Sequence, residues 1–140
     1  MTLAQRFAQV FGAVYLLVGI LGAVPVSPIL IGSFNWGPLS GLLLGLFAVN
    51  WFHSLAHFAI GVAGLATFRN PDAARYYALV VGVAYVLLFV IGLFGGPFGP
   101  LPYILPLNGL DNALHLLTAV IALAAFFFSQ EAAGTPSPRV

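Results

Sequence analysis

The sequence predicts an all-α membrane protein in which four transmembrane helices form a bundle from two parallel copies of one helix pair (2+2). Apolar residues make up 61% of the chain and charged residues only 5%, whereas a soluble domain carries roughly 25% charged residues. Four long apolar segments are separated by short segments rich in Pro, Gly or Arg. Four residues of the first apolar segment recur seventy positions later in the third: Gly12, Tyr15, Leu17 and Gly22 as Gly82, Tyr85, Leu87 and Gly92.

One transmembrane domain, residues 1–130, is predicted to contain four spans, at 7–24, 39–68, 74–94 and 108–129. The second span is unusually long, since thirty helical residues would reach roughly 45 Å, and the hydrocarbon core is only about 30 Å thick. This helix therefore tilts, projects from the bilayer, or is broken near Gly41 and Gly45. The tail 131–140, which contains Gly and Pro, is predicted to be disordered and cytoplasmic.

The arginines predict the orientation of the chain. Arg6 precedes the first span, Arg69 and Arg75 flank the connection between the second and third spans, and Arg139 lies in the tail. The other two connections contain no arginine. The positive-inside rule therefore places both termini in the cytoplasm. Both helix pairs then enter the membrane from the same side, so the two copies are parallel and related by an axis along the membrane normal.

Composition and motifs exclude several classes of function. The chain has no cysteine, which excludes disulfides, thiolate metal sites and cysteine nucleophiles. Its net charge of +1 argues against a nucleic-acid partner, and it has no phosphate-binding loop or dinucleotide fingerprint. Ser54 follows His53 directly, but a helix turns about 100° per residue, so the two side chains point apart. We therefore interpret the chain as not an enzyme by itself.

One polar pattern occurs in two spans, as Asn50-Trp51-Phe52-His53 and Asn112-Ala113-Leu114-His115. Polar side chains within a membrane span are costly, so their repetition needs a physical reason. Counted from the cytoplasmic ends, His53 and His115 lie at the same depth, roughly 21–22 Å from that side. His57 lies one turn from His53 on the same helix face. The histidines are therefore the first candidates for a functional site.

A twofold axis would bring the second and fourth helices face to face. Asn50, His53 and His57 would then meet Asn112 and His115 across the bundle, and these residues form the candidate site. Asp111 adjoins this group at the outer end of the fourth span. In the simplest interpretation, Asn50, Asn112 and Asp111 belong to a polar network that fixes helix register.

Other interpretations give the histidines a ligand. His53 and His115 could be axial ligands of a haem or chlorophyll-type porphyrin, which Trp51, Phe52, Phe58 and Tyr85 would surround. His53, His57 and His115 could together bind a metal ion. The same residues could also relay protons or serve a small transporter. The sequence alone does not identify a cofactor.

The leading functional hypothesis is a non-catalytic accessory or scaffolding subunit of a larger membrane assembly. Nearly the whole chain is predicted to lie in membrane spans, and its connections are too short to form a soluble domain. Its expected partners are therefore the lipid bilayer and other membrane proteins, or further copies of itself.

Several local sequences also resemble one family. They are Val49-Asn50-Trp51-Phe52-His53-Ser54-Leu55-Ala56-His57, Ala74-Arg75-Tyr76-Tyr77, Gly82-Val83-Ala84-Tyr85 and Leu107-Asn108-Gly109-Leu110-Asp111-Asn112-Ala113-Leu114-His115. On these residues the chain resembles the bacterial domain-of-unknown-function family 4383, small four-span integral membrane proteins. Members more often have Asn where this chain has Ser54. The resemblance implies the four-span fold, the polar pairs and a bacterial inner membrane, and it implies no activity or cofactor.

Overall fold

Four helices and a small sheet make up the described structure. The computed structural model describes residues 1–24, 30–32, 37–95 and 104–129. Its elements are α1 (Leu3–Gly22), β1 (Leu30–Ile31), β2 (Gly41–Leu43), β3 (Phe47–Val49), α2 (Trp51–Thr67), α3 (Pro71–Gly95) and α4 (Gly109–Phe128). The predicted tail 131–140 lies outside the described residues.

Polar caps set the first residues of α1 and α3. The Thr2 hydroxyl accepts a hydrogen bond from the Gln5 N–H at 3.2 Å, and the Gln5 side chain accepts one from the Thr2 N–H at 2.9 Å. The Asn70 side chain accepts from the Asp72 N–H at 3.0 Å, and Pro71 at the first helical position has no N–H to satisfy. These caps satisfy exposed N–H groups, so both helices begin a few residues before the predicted 7 and 74.

The predicted second span, 39–68, is not one continuous helix, because its first third is not helical. In its place β2 and β3 form an antiparallel hairpin that pairs Gly41 with Val49, and β1 adds a third antiparallel strand beside β2. Three residues join the paired Leu43 and Phe47, and Leu44 and Gly45 among them have positive φ, 53° and 74°, as the two central residues of a type I′ turn require. The break that the glycines suggested is therefore present. α2 begins only at Trp51 and has 17 residues, or roughly 26 Å.

Three helices are long and apolar enough to cross a membrane, namely α1, α3 (as Pro71–Phe94) and α4. Each has at least 20 residues, which span roughly 30 Å and match the hydrocarbon core. Their outward side chains are apolar, and Phe94 and Phe128 are 85% and 75% exposed. A soluble protein does not expose so much contiguous apolar surface, so the chain is a membrane protein.

The helices pack as two pairs, α1 with α2 and α3 with α4, and α1 makes most of the contacts between the pairs. Two aromatic contacts join α1 to α3. The rings of Tyr15 and Tyr85 are 5.6 Å apart, and those of Phe7 and Tyr77 are 5.9 Å apart. Around these rings the core consists mainly of alanines, including Ala4, Ala8, Ala74, Ala78, Ala119, Ala122 and Ala125.

The two ends of the packed helices differ in chemistry. At one end, the Gln5 side chain donates to the Arg69 carbonyl at 3.3 Å and the Arg75 Nε donates to the Phe126 carbonyl at 3.3 Å. The Ala4 N–H donates to the Ser129 hydroxyl at 2.8 Å. The start of α1, the α2–α3 connection and the end of α4 therefore lie together. At the other end, the hairpin contacts the starts of α2 and α4.

Candidate functional site: a buried histidine and tyrosine cluster

The hairpin orients His53 at the start of α2. Asn50 is fully buried and caps the helix, since its side-chain oxygen accepts from the His53 N–H at 2.9 Å. The ring of His53 lies with Nδ1 3.0 Å from the Ala48 carbonyl oxygen. Because a carbonyl only accepts, Nδ1 carries the proton and donates. The bond sets the direction of the ring.

The same hairpin also holds the start of α4. Asn108 caps this helix, and Asp111 completes the capping box by accepting from the Asn108 N–H at 2.9 Å. The same oxygen of Asp111 accepts from the Ala48 N–H at 2.9 Å, and the Asn108 side chain donates to the Leu46 carbonyl at 2.7 Å. Ala48 therefore links Asp111 on α4, through its N–H, to His53 on α2, through its carbonyl.

Three histidines and two tyrosines lie together below the hairpin. The ring centroids of His53 and His57 are 4.5 Å apart, and those of His53 and His115 are 6.4 Å apart. Tyr15 lies 5.1 Å from His57, and Tyr85 lies 5.1 Å from His115. His53 and His115 are only 3% and 4% exposed. All four helices contribute to this histidine–tyrosine cluster.

A cavity of about 190 Å³ adjoins the cluster. Its polar wall contains the three histidines, Tyr15, Thr118 and Asp111, and its remaining wall is apolar. The Tyr15 and Thr118 hydroxyls are hydrogen-bonded to each other at 3.0 Å. The cavity wall thus combines hydrogen-bonding groups with apolar side chains.

Two of the histidines have an unsatisfied nitrogen. The Nδ1 atoms of His57 and His115 are buried and have no hydrogen-bond partner in the described part of the chain. Buried polar atoms without a partner are rare, because leaving water without a replacement bond costs free energy. These two nitrogens distinguish the cluster from a closed structural network.

The structure separates the residues predicted for the site. His53, His57, His115 and Asp111 line one cavity. Asn112 does not, because its side chain packs against Gly92 of α3 and its Oδ1 has no hydrogen-bond partner. The expected face-to-face packing of the second and fourth helices is not the main contact either, since α1 makes most of the contacts between the two pairs.

The aromatic surroundings also differ from expectation. Trp51, Phe52 and Phe58 are 39–44% exposed on the surface of α2, and only Tyr85 of the four predicted aromatic residues contacts a histidine ring. Sequence reasoning did not place Tyr15 and Thr118 in the site. Two features of the sequence could have placed them there. Tyr15 repeats as Tyr85, and Thr118 lies one helical turn after His115.

The geometry limits which groups the cluster holds. Within residues 1–24, 30–32, 37–95 and 104–129, no three His, Asp or Glu side chains are close enough together to bind a metal ion. The cavity of about 190 Å³ is also smaller than the roughly 300–1,000 Å³ of usual ligand pockets. A porphyrin would therefore require the cluster to open.

Comparison with known proteins places the chain in a family. The model of the family described as "Domain of unknown function (DUF4383)" matches residues 5–128. The chain belongs to this family. No curated protein matches the chain, and no solved structure does. Membership in DUF4383 covers all four helices and the histidine–tyrosine cluster, and it assigns no chemistry to either.

Proposed function

We propose that this DUF4383 protein is a non-catalytic subunit of a larger assembly in the bacterial inner membrane. Its four helices form one bundle of two parallel repeats, and both termini lie in the cytoplasm. The observation that carries the proposal is the contrast between the buried polar groups of the histidine–tyrosine cluster and an outer surface that is apolar on every helix. A partner protein would therefore meet the chain mainly through surfaces within the membrane.

Contacts at the repeat spacing support the two-repeat arrangement. Tyr15 contacts Tyr85, and Phe7 contacts Tyr77. In each pair the partners are seventy positions apart, which is the spacing of the repeated glycines. Equivalent residues touch in this way when a twofold axis passes between them. In this arrangement α2 and the hairpin together form the second span of the sequence. Four spans then cross the membrane, since α1, α3 and α4 form the other three.

The positions of the arginines support the orientation. Arg69 and Arg75 lie at the same end of the bundle as the start of α1, and the hairpin lies at the other end. The chain has no native cysteine, so Asp72→Cys and Leu46→Cys each introduce a single thiol. In intact cells, a membrane-impermeant maleimide should label the Leu46→Cys thiol and not the Asp72→Cys thiol. Labelling of both from one side would contradict the orientation.

Features of α3 and α2 support a non-catalytic role in an assembly. Tyr76, Val80 and Leu87 on α3 are 58–68% exposed, so this helix presents a broad apolar surface beyond its packing with α4. The hydroxyl of Ser54 has no hydrogen-bond partner and packs against Gly22, so His53 does not activate it as a nucleophile. These features favour contact with other helices over chemistry.

The mass of the particle extracted in native lipid tests the assembly. The chain alone is 14.7 kDa, and extraction with a lipid-retaining copolymer should give a particle that contains further protein. The polar substitutions Val80→Ser and Leu87→Ser on the outer face of α3 should release the further protein from the particle. Val10→Ser on α1 is the matched exposed control and should leave the particle unchanged. A strictly monomeric particle in native lipid would overturn the proposal.

One observation favours pigment binding as a second candidate. Ligating histidines usually donate their other ring N–H to a carbonyl or carboxylate, as His53 does to Ala48. The absorption spectrum of the purified protein separates the two functions. Under the leading proposal it has no Soret-type band. A band that disappears in both His53→Leu and His115→Leu would establish the pigment instead.

A further inference from the structure

The cavity beside the histidine–tyrosine cluster has the features of a ligand site. Its volume of about 190 Å³ corresponds to roughly six waters at about 30 Å³ each, or to one six-membered ring with small substituents. His57 and His115 line the cavity, together with Tyr15, Thr118 and Asp111. Among the described residues, the Nδ1 atoms of His57 and His115 have no hydrogen-bond partner, and because they are closed to solvent a bound molecule would reach them only after the rings rotate. The cavity therefore suits a hydrogen-bonding occupant.

The electrostatics of the wall favour an uncharged occupant. Among the residues that the structure describes, no arginine lines the cavity, and Asp111 is one of the lining residues. A carboxylate or phosphate would lie beside that carboxyl group without a cation to pair it, which is unfavourable in a medium of low dielectric. A neutral imidazole offers one N–H donor and one acceptor, so carbonyl and hydroxyl oxygens both match the histidines.

The aromatic residues of the wall favour a flat ring. Tyr15, Phe11, Phe47 and the histidines all line the cavity. Aromatic side chains pack favourably against a flat ring in offset or edge-to-face geometry. The apolar residues of the remaining wall would contact substituents that carry no hydrogen-bonding group.

The cavity also lies close to the lipid. Val14 and Leu44 line it, and these side chains are 51% and 56% exposed. The cavity therefore lies next to the outer surface of the protein, which faces the hydrocarbon. An occupant would come from the bilayer, and an apolar tail could remain there while the head group entered between α1 and the hairpin.

We propose that this cavity binds the oxygen-bearing head ring of a quinone or quinol taken from the membrane. The histidines hydrogen-bond the ring oxygens, Phe11 and Tyr15 pack against the ring, and the tail leaves past Val14. This binding does not depend on the proposed role in an assembly, because all of the residues involved belong to one chain.

Photoaffinity labelling of the full chain in lipid nanodiscs tests the proposal. The probe is an azido-ubiquinone with a decyl tail, and labelled peptides are located by mass spectrometry. Label should attach to α1, α4 or the hairpin beside the cavity, and unlabelled decyl-ubiquinone should compete. Decanol has the same tail and a hydroxyl group but no ring, so it should not compete. Competition by decanol equal to that of decyl-ubiquinone would overturn the specificity for the ring.

Paired substitutions on α1 separate binding in the cavity from partition into lipid. Val14→Phe extends into the cavity and should raise the concentration of decyl-ubiquinone that halves the labelling at least tenfold. Val10→Phe is the same change one turn away, at a side chain that is 57% exposed and does not line the cavity. It should change that concentration less than twofold. His115→Phe keeps a ring but removes the nitrogens and should behave like Val14→Phe. Equal labelling of all four proteins, or no labelling at all, would overturn the proposal, whatever the mass of the native particle.

Discussion

The two helix pairs resemble each other in sequence but pack differently. In the α1–α2 pair, glycines allow backbone to approach backbone: a Cβ on Gly12 would lie 2.8 Å from the Leu65 nitrogen, and one on Gly61 would lie 2.6 Å from the Leu16 Cα. In the α3–α4 pair, the glycines face side chains, so that Gly82 meets Leu123. Small residues drive close packing in membranes, and only the first pair uses them to bring the helix backbones together.

The two Asn-x-x-His patterns differ in a similar way. Asn50 is the cap of α2, whereas the cap of α4 is Asn108, which places Asn112 inside the helix. Both patterns bring their histidine into the same cluster. The depth of the histidines follows from their spacing along the chain, but the role of each asparagine depends on where its helix begins.

The largest predicted effect concerns the glycine contact between α1 and α2. Gly61→Ala places a methyl group against the backbone of Leu16, which cannot move without separating the helices. Overpacking of this kind costs about 1–3 kcal/mol, more than the gain in helix propensity of up to about 1 kcal/mol. The thermal midpoint in detergent, followed by circular dichroism, should fall. Gly109→Ala is the control, because a Cβ there meets nothing within 4 Å. An equal midpoint for the two variants would refute the backbone contact.

The next effect concerns Asp111, which connects α4 to the hairpin. Asp111→Ala removes the acceptor for two backbone N–H groups, those of Ala48 and Asn108. Unsatisfied buried donors cost about 1–3 kcal/mol, so the midpoint should fall. The matched control is Asp72→Ala, which removes an exposed aspartate from the first turn of α3 and should change the unfolding free energy by less than about 0.5 kcal/mol. The prediction fails if the two substitutions destabilise the protein equally.

A smaller effect compares the two asparagines directly. Asn50→Ala removes the acceptor for the His53 N–H, and the loss of a cap costs about 1 kcal/mol. Asn112→Ala removes a side chain whose Oδ1 has no partner, so its free energy of unfolding should change little. Denaturant titration of both variants measures the difference. An equal cost would mean that Asn112 is as important to the fold as the cap.

Composition and spacing predicted much of the fold. They identified the membrane class, the four helical segments and the residues His53, His57 and His115, because these depend on hydrophobicity and on 1.5 Å per helical residue. They did not predict the hairpin, because the apolar residues of β2 and β3 are equally compatible with a buried helix and a buried strand. In the structure, the antiparallel pairing of β2 with β3 and the positive φ at Leu44 and Gly45 distinguish the strand from the helix.

The site could be predicted only in part for the same reason. The hairpin places the Ala48 backbone between His53 and Asp111, and backbone groups carry no signature in the sequence. Tyr15 and Thr118 join the cluster through a hydrogen bond between elements that are far apart in the chain. Such a contact depends on how α1 packs against α4, which periodicity does not specify.

The smallest predicted effect tests how the α3–α4 pair accommodates its polar residue. A Cβ at Gly92 would overlap the side-chain amide of Asn112. Because this amide is the movable end of a side chain and has no partner for Oδ1, Gly92→Ala should cost less than Gly61→Ala, about 1 kcal/mol or less. In the Asn112→Ala background the obstacle is absent, so Gly92→Ala should then leave the free energy of unfolding unchanged.

The double-mutant cycle should give a coupling energy of about 0.5–1 kcal/mol. Gly82→Ala is the control, since it faces Leu123 about three turns away and should combine additively with Asn112→Ala. Additivity at Gly92 as well would show that the amide of Asn112 does not occupy the space beside this glycine.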